Sequence, residues 1–235
     1  MEDAYFILDN PFKDNELGLY AVLDGHGGGE VVESCTQFIP DIFKKEYKKN
    51  IDAKELFKTV MKKTDDQLRL VGASDQGACV CLALVRKEAN NVTKCYVANL
   101  GDTRAVLCEN DKAIRVSTDH KAVNEQEIKR IKEMGGIIIR GRVSGSLAIT
   151  RALGDLDLKT EGVLNVPDTE EFVVSQKTQY LILASDGLWD VCDDQKAVDL
   201  CKNINDTAEM AKKLLKYALD NGSRDNTSVM VLRFN

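Results

Sequence analysis

The sequence predicts an α+β fold in which helices are layered on antiparallel β-sheets. Three observations carry this. Apolar, β-branched stretches of strand length recur along the chain and are joined mostly by short polar turns. Two of those connections, Asn90-Asn91 and the run 109–112, are far shorter than the dozen or so residues of a βαβ crossover, so the strands they join must pair antiparallel. Helical periodicity then appears singly or in pairs between runs of strands, which is the pattern of helices packed on sheets and not of a Rossmann fold.

In chain order, strands are expected at 5–8, 17–23, 78–86, 94–100, 103–108, 113–116, 172–174, 180–184 and 228–234. A 3.6-residue apolar period marks four helices: Val31, Cys35, Phe38 and Ile42; Leu56, Val60, Thr64 and Leu68; Ile128, Ile131 and Met134; and Ala208, Ala211, Leu215 and Ala218. Three of these follow an acid or amide with Glu three residues later, at Asp52 and Glu55, Asn124 and Glu127, and Asp206 and Glu209. Those are starts of the capping-box kind. With only three prolines and no low-complexity stretch or internal repeat, the 235 residues read as a single domain, 1–235.

Composition narrows the function classes. The chain carries 32 Lys and Arg against 38 Asp and Glu, a formal charge of −6, and 43% of its residues are hydrophobic. That excludes a disordered chain and argues against a nucleic-acid partner, since no basic stripe rises above the short cluster at 44–49. No apolar run approaches the roughly 20 residues of a membrane span. Met1-Glu2-Asp3-Ala4 has two acids where a targeting peptide carries bases, so a cytoplasmic or nuclear protein, with no membrane association, is expected. Seven scattered cysteines without a C-x-x-C pair, and only two histidines, read as buried thiols of a reducing compartment and not as a zinc site.

The informative feature is where particular aspartates fall. Apolar strands end in Asp24-Gly25, in Gly101-Asp102 and in Asp186-Gly187, and Asp225-Asn226 precedes the last strand. Any one Asp-Gly is ordinary turn chemistry. Four together, each at the stiff end of a strand, can converge on one point, and carboxylates so gathered repel or take up protons unless a cation neutralises them. An all-oxygen ligand set favours Mg²⁺ or Mn²⁺ over zinc or copper. His26, in the glycine-rich loop directly after Asp24-Gly25, is a candidate acid or base, with an unperturbed pKa of about 6.5 suited to neutral pH. The triple glycine that follows matches neither a Walker loop nor a dinucleotide fingerprint.

The strings Met1-Glu2-Asp3, Asp24-Gly25-His26-Gly27-Gly28, Asn99-Leu100-Gly101-Asp102-Thr103-Arg104, Gly145-Ser146-Leu147-Ala148-Ile149-Thr150-Arg151-Ala152-Leu153-Gly154-Asp155, Ser185-Asp186-Gly187-Leu188-Trp189-Asp190 and Ser223-Arg224-Asp225-Asn226-Thr227-Ser228 together resemble the metal-dependent serine/threonine protein phosphatases of type 2C. The resemblance runs in order over nearly the whole chain. It implies a central sandwich of two antiparallel β-sheets flanked by helices on both faces, a four-layer α-β-β-α arrangement, with a dinuclear Mg²⁺ or Mn²⁺ centre at one end. Carried over by position, it implies that Asp24 bridges the two ions, that the Gly25 carbonyl ligates one, and that Asp186 and Asp225 ligate the other. Glu2 would hold water on a metal. Asp102 and Asp190 would join Asp186 in a weaker third site. Asp119 and Asp155 read as structural, Thr150 and Arg151 as structural or near the substrate, and 156–167 as a short flap beside the cleft where substrates are selected.

The implied reaction is hydrolysis of phosphoserine and phosphothreonine monoesters in phosphorylated proteins by a metal-bridging water or hydroxide. Asp24 and His26 are its catalytic residues, His26 acting as general acid to the leaving alkoxide, and no phosphoenzyme forms. A cysteine phosphatase is excluded, because none of the seven cysteines has an Arg six positions later. Two rivals stay open: a pseudophosphatase scaffold, against which Asp24, Asp186 and Asp225 are all retained, and a two-metal nuclease or phosphodiesterase, for which the acidic surface is discouraging. The resemblance also implies an arginine a few residues before the Met-Glu-Asp string. None precedes Met1 in the sequence given, and weaker phosphate binding is expected unless an upstream segment supplies one. A monomer is expected. The sequence does not name the phosphoprotein substrate, the choice between Mg²⁺ and Mn²⁺, or regulatory partners.

Overall fold

The computed structural model describes residues 1–13, 17–72, 74–88 and 91–234. The elements run β1 (Asp3–Asp9), β2 (Leu17–His26), α1 (Glu30–Glu46), α2 (Ala53–Val71), β3 (Gly77–Lys87), β4 (Thr93–Leu100), β5 (Arg104–Glu109), β6 (Lys112–Arg115) and α3 (Glu125–Glu133). The chain continues through β7 (Ile138–Ile139), β8 (Arg142–Val143), β9 (Leu153–Gly154), a 3₁₀ helix at Leu156–Glu161, β10 (Asp168–Val173), β11 (Thr178–Ala184), α4 (Asp186–Trp189), α5 (Asp194–Cys201), α6 (Thr207–Asp220) and β12 (Val229–Arg233).

One sheet has the order β1-β2-β3-β4-β10, with β9 paired to β3; the second is β12-β11-β5-β6, and every pairing between these strands is antiparallel. The two-residue alternation of strands explains the layering. On β2 and β3, Leu19, Ala21, Leu23, Val80, Leu82 and Leu84 pack under α1 and α2, while Val22, Cys81 and Ala83 face the other way into the space between the sheets. On β11, Leu181 and Leu183 fill that same space, and Tyr180, Ile182 and Ala184 pack against α4, α5 and α6. Strands buried on both faces read as continuous apolar runs, and the result is the expected four-layer α-β-β-α sandwich.

Local choices mostly agree with the sequence. Asp52 caps α2 by accepting from the Glu55 N–H at 2.9 Å, and Asp206 caps α6 through the Ala208 and Glu209 N–H groups. Asn124 caps α3 at the Gln126 N–H, but Glu127 does not complete a capping box. It turns inward, where Arg130, Arg151 and Thr150 hold it. The four-residue α4 and the eight-residue α5 carry too few turns to show a period, and sequence reading missed both, along with the two-residue β7, β8 and β9. Of the short Asn90-Asn91 connection, Asn90 lies outside the described residues. The expected flap is a 3₁₀ turn closed on its own base, with Lys159 donating to the Ala152 carbonyl at 2.7 Å and sitting 3.6 Å from Asp65.

Candidate metal centre

The central strands of the two sheets deliver the acids. Asp24 lies near the end of β2, Asp186 opens α4 immediately after β11, and Asp102 sits in the crossing from β4 in one sheet to β5 in the other. At this end of the sandwich, Asp24, Asp102 and Asp186 each offer a carboxylate oxygen, and these atoms all lie within 4.8 Å of one another. The Asp186 N–H points at Asp24 Oδ2 at 3.4 Å, tying the two strands' ends together. A seam of hydroxyls joins the sheets beside them: Ser185 donates to Asp3 Oδ2 at 2.7 Å, and the Ser228 N–H donates to Ser185 Oγ at 2.9 Å.

Electrostatics mark the cluster as unsatisfied. Burial, then the charges of Asp186, Asp3 and Asp102, pushes Asp24 well above the ordinary carboxylate range. Burial and the charges of Asp102, Asp190 and Asp225 push Asp186 the same way. Burial also raises Asp3, Ser185 and Ser228 hold it back in part, and Asp225 adds to the rise. Asp3 Oδ1 is buried without a hydrogen-bond partner among the described residues. An oxygen-only cluster with an orphaned buried acceptor and acids that resist ionisation fits a hard divalent cation.

The remaining expected ligands fall at different distances from this point. Asp225 lies outside the group of three, yet its charge acts on both Asp3 and Asp186; its Oδ1 accepts the Asn226 N–H at 2.8 Å. Glu2 is pinned by its backbone, with its N–H on Asn226 Oδ1 at 2.7 Å and its carbonyl receiving the Gly25 N–H at 2.8 Å. That approach requires Gly25: a Cβ there would lie 2.6 Å from the Glu2 carbonyl oxygen. Asp190 ends α4, with its side chain exposed and 3.3 Å from the Lys121 ammonium. Lys121 also stands 3.4 Å from Asp102 Oδ2, while the buried Cys79 thiol donates to Asp102 Oδ1 at 3.2 Å. Burial works against the Lys121 charge, but Asp102 and Asp190 outweigh it and hold the ammonium above its ordinary range.

His26 is the last residue of β2, two positions beyond Asp24, and its Nε2 lies 2.9 and 2.8 Å from the two oxygens of Asp155. Asp155, expected to be structural, is the buried partner of the histidine, in a left-handed backbone conformation (φ 46°) that Asp tolerates better than most residues. Gly77, opposite His26 on β3, makes room, since a Cβ there would collide with the Asp155 carboxylate and stand 2.5 Å from His26 Nε2. Asp119 is structural as expected, paired with Arg104. Arg151 and Thr150, expected to be structural or near the substrate, both hold Glu127. Sequence reading gave no role near the cluster to Asp3 or Lys121. The register that pairs Asp3 with Asp24 and Asp24 with Cys79 brings Asp3 to the cluster, and it exists only once the strands are aligned.

A two-sheet sandwich with a carboxylate cluster at one end and a histidine two residues along the same strand suits metal-dependent hydrolysis. Comparison with known proteins agrees. The family model described as "Protein phosphatase 2C" matches residues 1–227. The chain is 36% identical to "Protein phosphatase 2C homolog 1" of Saccharomyces cerevisiae, over 99% of this chain and 87% of that protein. It is 38% identical to "Probable protein phosphatase 2C 45" of Oryza sativa subsp. japonica, over 100% of this chain and 83% of that one. A solved serine-threonine phosphatase 2C from Toxoplasma gondii superposes with a TM-score of 0.83 at 20% identity, covering 100% of this chain and 90% of the other, which speaks for the fold. The chain belongs to the protein phosphatase 2C family.

Proposed function

We propose that this chain removes phosphate from phosphoserine and phosphothreonine in protein substrates at the Asp24, Asp102 and Asp186 cluster. The observation that carries the reading is the convergence of those three oxygens within 4.8 Å, two residues along β2 from His26. Asp24, Asp186 and Asp225, with the Gly25 carbonyl and Glu2, would hold two Mg²⁺ or Mn²⁺ ions, and Asp102 and Asp190 would contribute to a weaker third. When bound, such ions lower the pKa of water and neutralise phosphoryl oxygens.

The chain's own residues do the rest. Asp24 and Asp186 stay close only because β2 and β11 are stiff and the Asp186 N–H bonds to Asp24, so the site is formed before substrate arrives. Asp155 accepts from His26 Nε2, which keeps a proton on that nitrogen and leaves Nδ1 to face a leaving group. In its imidazolium form His26 carries a second proton on Nδ1; that proton passes to the departing serine or threonine oxygen and leaves the neutral Nε2–H ring on Asp155, which acts as the positioning residue. Within this reading the domain works as a monomer, in the cytoplasm or nucleus. All seven cysteines are free and buried, which suits a reducing compartment.

The test compares Mn²⁺-dependent turnover of a phosphopeptide, an aryl phosphate monoester and a phosphodiester by the wild type and by Asp186→Asn. Monoester turnover that chelation abolishes and Asp186→Asn reduces about 10³-fold or more is expected. Activity that survives chelation, preference for the diester, or no turnover of any substrate overturns it. His26→Asn should lower kcat by about 10²-fold or more with Mn²⁺ binding unchanged, and Asp155→Asn by less, in the same direction.

A further inference from the structure

Lys121 is a cation in contact with the acidic pocket. Its ammonium lies 3.4 Å from Asp102 Oδ2 and 3.3 Å from Asp190 Oδ1, and both of those acids act on Asp186. Its position is built, not incidental. Lys121 pairs in a β-bridge with Ile149, and the next residue's N–H, that of Ala122, bonds to the Ala148 carbonyl at 2.7 Å. The preceding residue, His120, is buried; its N–H donates to the Gly101 carbonyl at 2.9 Å and its Nδ1 accepts the Gly101 N–H at 3.1 Å. The same two residues thus set where Asp102 and Lys121 stand relative to each other, and the Cys79 thiol holds Asp102 from its other oxygen. The corner formed by Asp102 and Asp190 is thus given a positive group held in place by the backbone around it.

We infer that the Lys121 ammonium is a tethered counter-cation at the corner formed by Asp102 and Asp190, and that a divalent ion binding at this corner must displace it. The inference rests on the divalent-ion reading of the pocket and adds to it a reason within this chain for one ion to bind more weakly than the others. The charges that act on Asp24 are those of other acids, whereas Asp102 and Asp190 each stand within 3.4 Å of the Lys121 ammonium, whose charge reaches Asp186 as well. An incoming cation at the corner is therefore opposed by a like charge a few ångströms away, and loses the Lys121 contacts that it replaces.

The experiment measures Mn²⁺ binding by calorimetry and by the electron paramagnetic resonance of free Mn²⁺, together with thermal melting in chelator, for the wild type, Lys121→Met and Lys121→Arg. In Lys121→Met the weakest ion should bind about tenfold more tightly than in the wild type, while the metal-free protein melts at a lower temperature because its acids have lost their counter-charge. Lys121→Arg should restore both wild-type values. Lys121→Gln, which retains a hydrogen-bond donor, should shift binding in the same direction as Lys121→Met and serves if the latter does not fold. An isotherm for Lys121→Met and Lys121→Gln that superposes on the wild type, or shows weaker binding, overturns the inference while the metal reading stands. Absence of Mn²⁺ binding by every variant and by the wild type overturns both.

Discussion

Two buried acidic regions of this molecule are opposites. Glu127, on α3, is surrounded by donors: Arg130 and Arg151 each approach at 2.7 Å and the Thr150 hydroxyl at 2.6 Å. Burial would raise its pKa, but the bonds from Arg151, Arg130 and Thr150 outweigh that and hold the carboxyl well below the ordinary range. At the end of the sandwich, burial and the charges of Asp186, Asp3 and Asp102 push Asp24 the opposite way. Charge satisfied within the chain serves the fold. Charge left unsatisfied within the chain calls for something the chain does not contain, and that difference separates a structural acid from a ligand more reliably than burial does.

The widest test of this contrast neutralises one acid from each region. Asp24→Asn should reduce monoester turnover by about 10³-fold or more, and yet raise the melting temperature measured in chelator, because a repelling carboxylate has gone. A metal-free Asp24→Asn protein that melts lower than wild type would mean that the cluster is not strained by its own charge. Glu127→Gln should do the reverse. Stripping the counter-charge from Arg130 and Arg151 should destabilise the protein by about 3 kcal/mol, roughly 6–12 °C in Tm for a chain of this size, with or without Mn²⁺. An unchanged Tm would remove Glu127 from the structural role given to it here.

The smallest effect is in acid. A carboxyl whose folded-state pKa is depressed contributes stability that is present above its unfolded value of about 4.3 and is lost as pH falls through and below that value. Wild-type Tm should therefore decline more steeply than that of Glu127→Gln on going from pH 5 to about pH 2, as read by circular dichroism. Parallel curves would show that another group governs the acid limb; Asp168, which His120 and then Arg151 hold down at about 2, is the one to substitute next.

Much of the fold was legible in the chain because burial on both faces of a strand leaves a plain apolar run. The stretches around Val22, Leu82, Val97 and Leu183 all proved to be strands of the two sheets, and the caps at Asp52 and Asp206 formed as their residue types suggested. The short α4 and α5 were not legible, since one or two turns show no period. Glu127 shows the limit from another side: its spacing from Asn124 suggested a cap, but two arginines, one of them 24 residues later in the chain, outbid the local backbone for its carboxylate.

The amino-acid order by itself determined which strands end in aspartate, that His26 follows Asp24, and that hard oxygen ligands outnumber every softer alternative, because these depend only on neighbouring residues and residue types. Tertiary structure alone decided which acids meet. Asp3 joins Asp24 through strand register, Asp155 reaches His26 across 129 positions, and Lys121 enters the corner between Asp102 and Asp190 because His120 grips the turn at Gly101. Strand pairing and the crossing between two sheets set those distances, and neither is encoded in any local stretch of the chain.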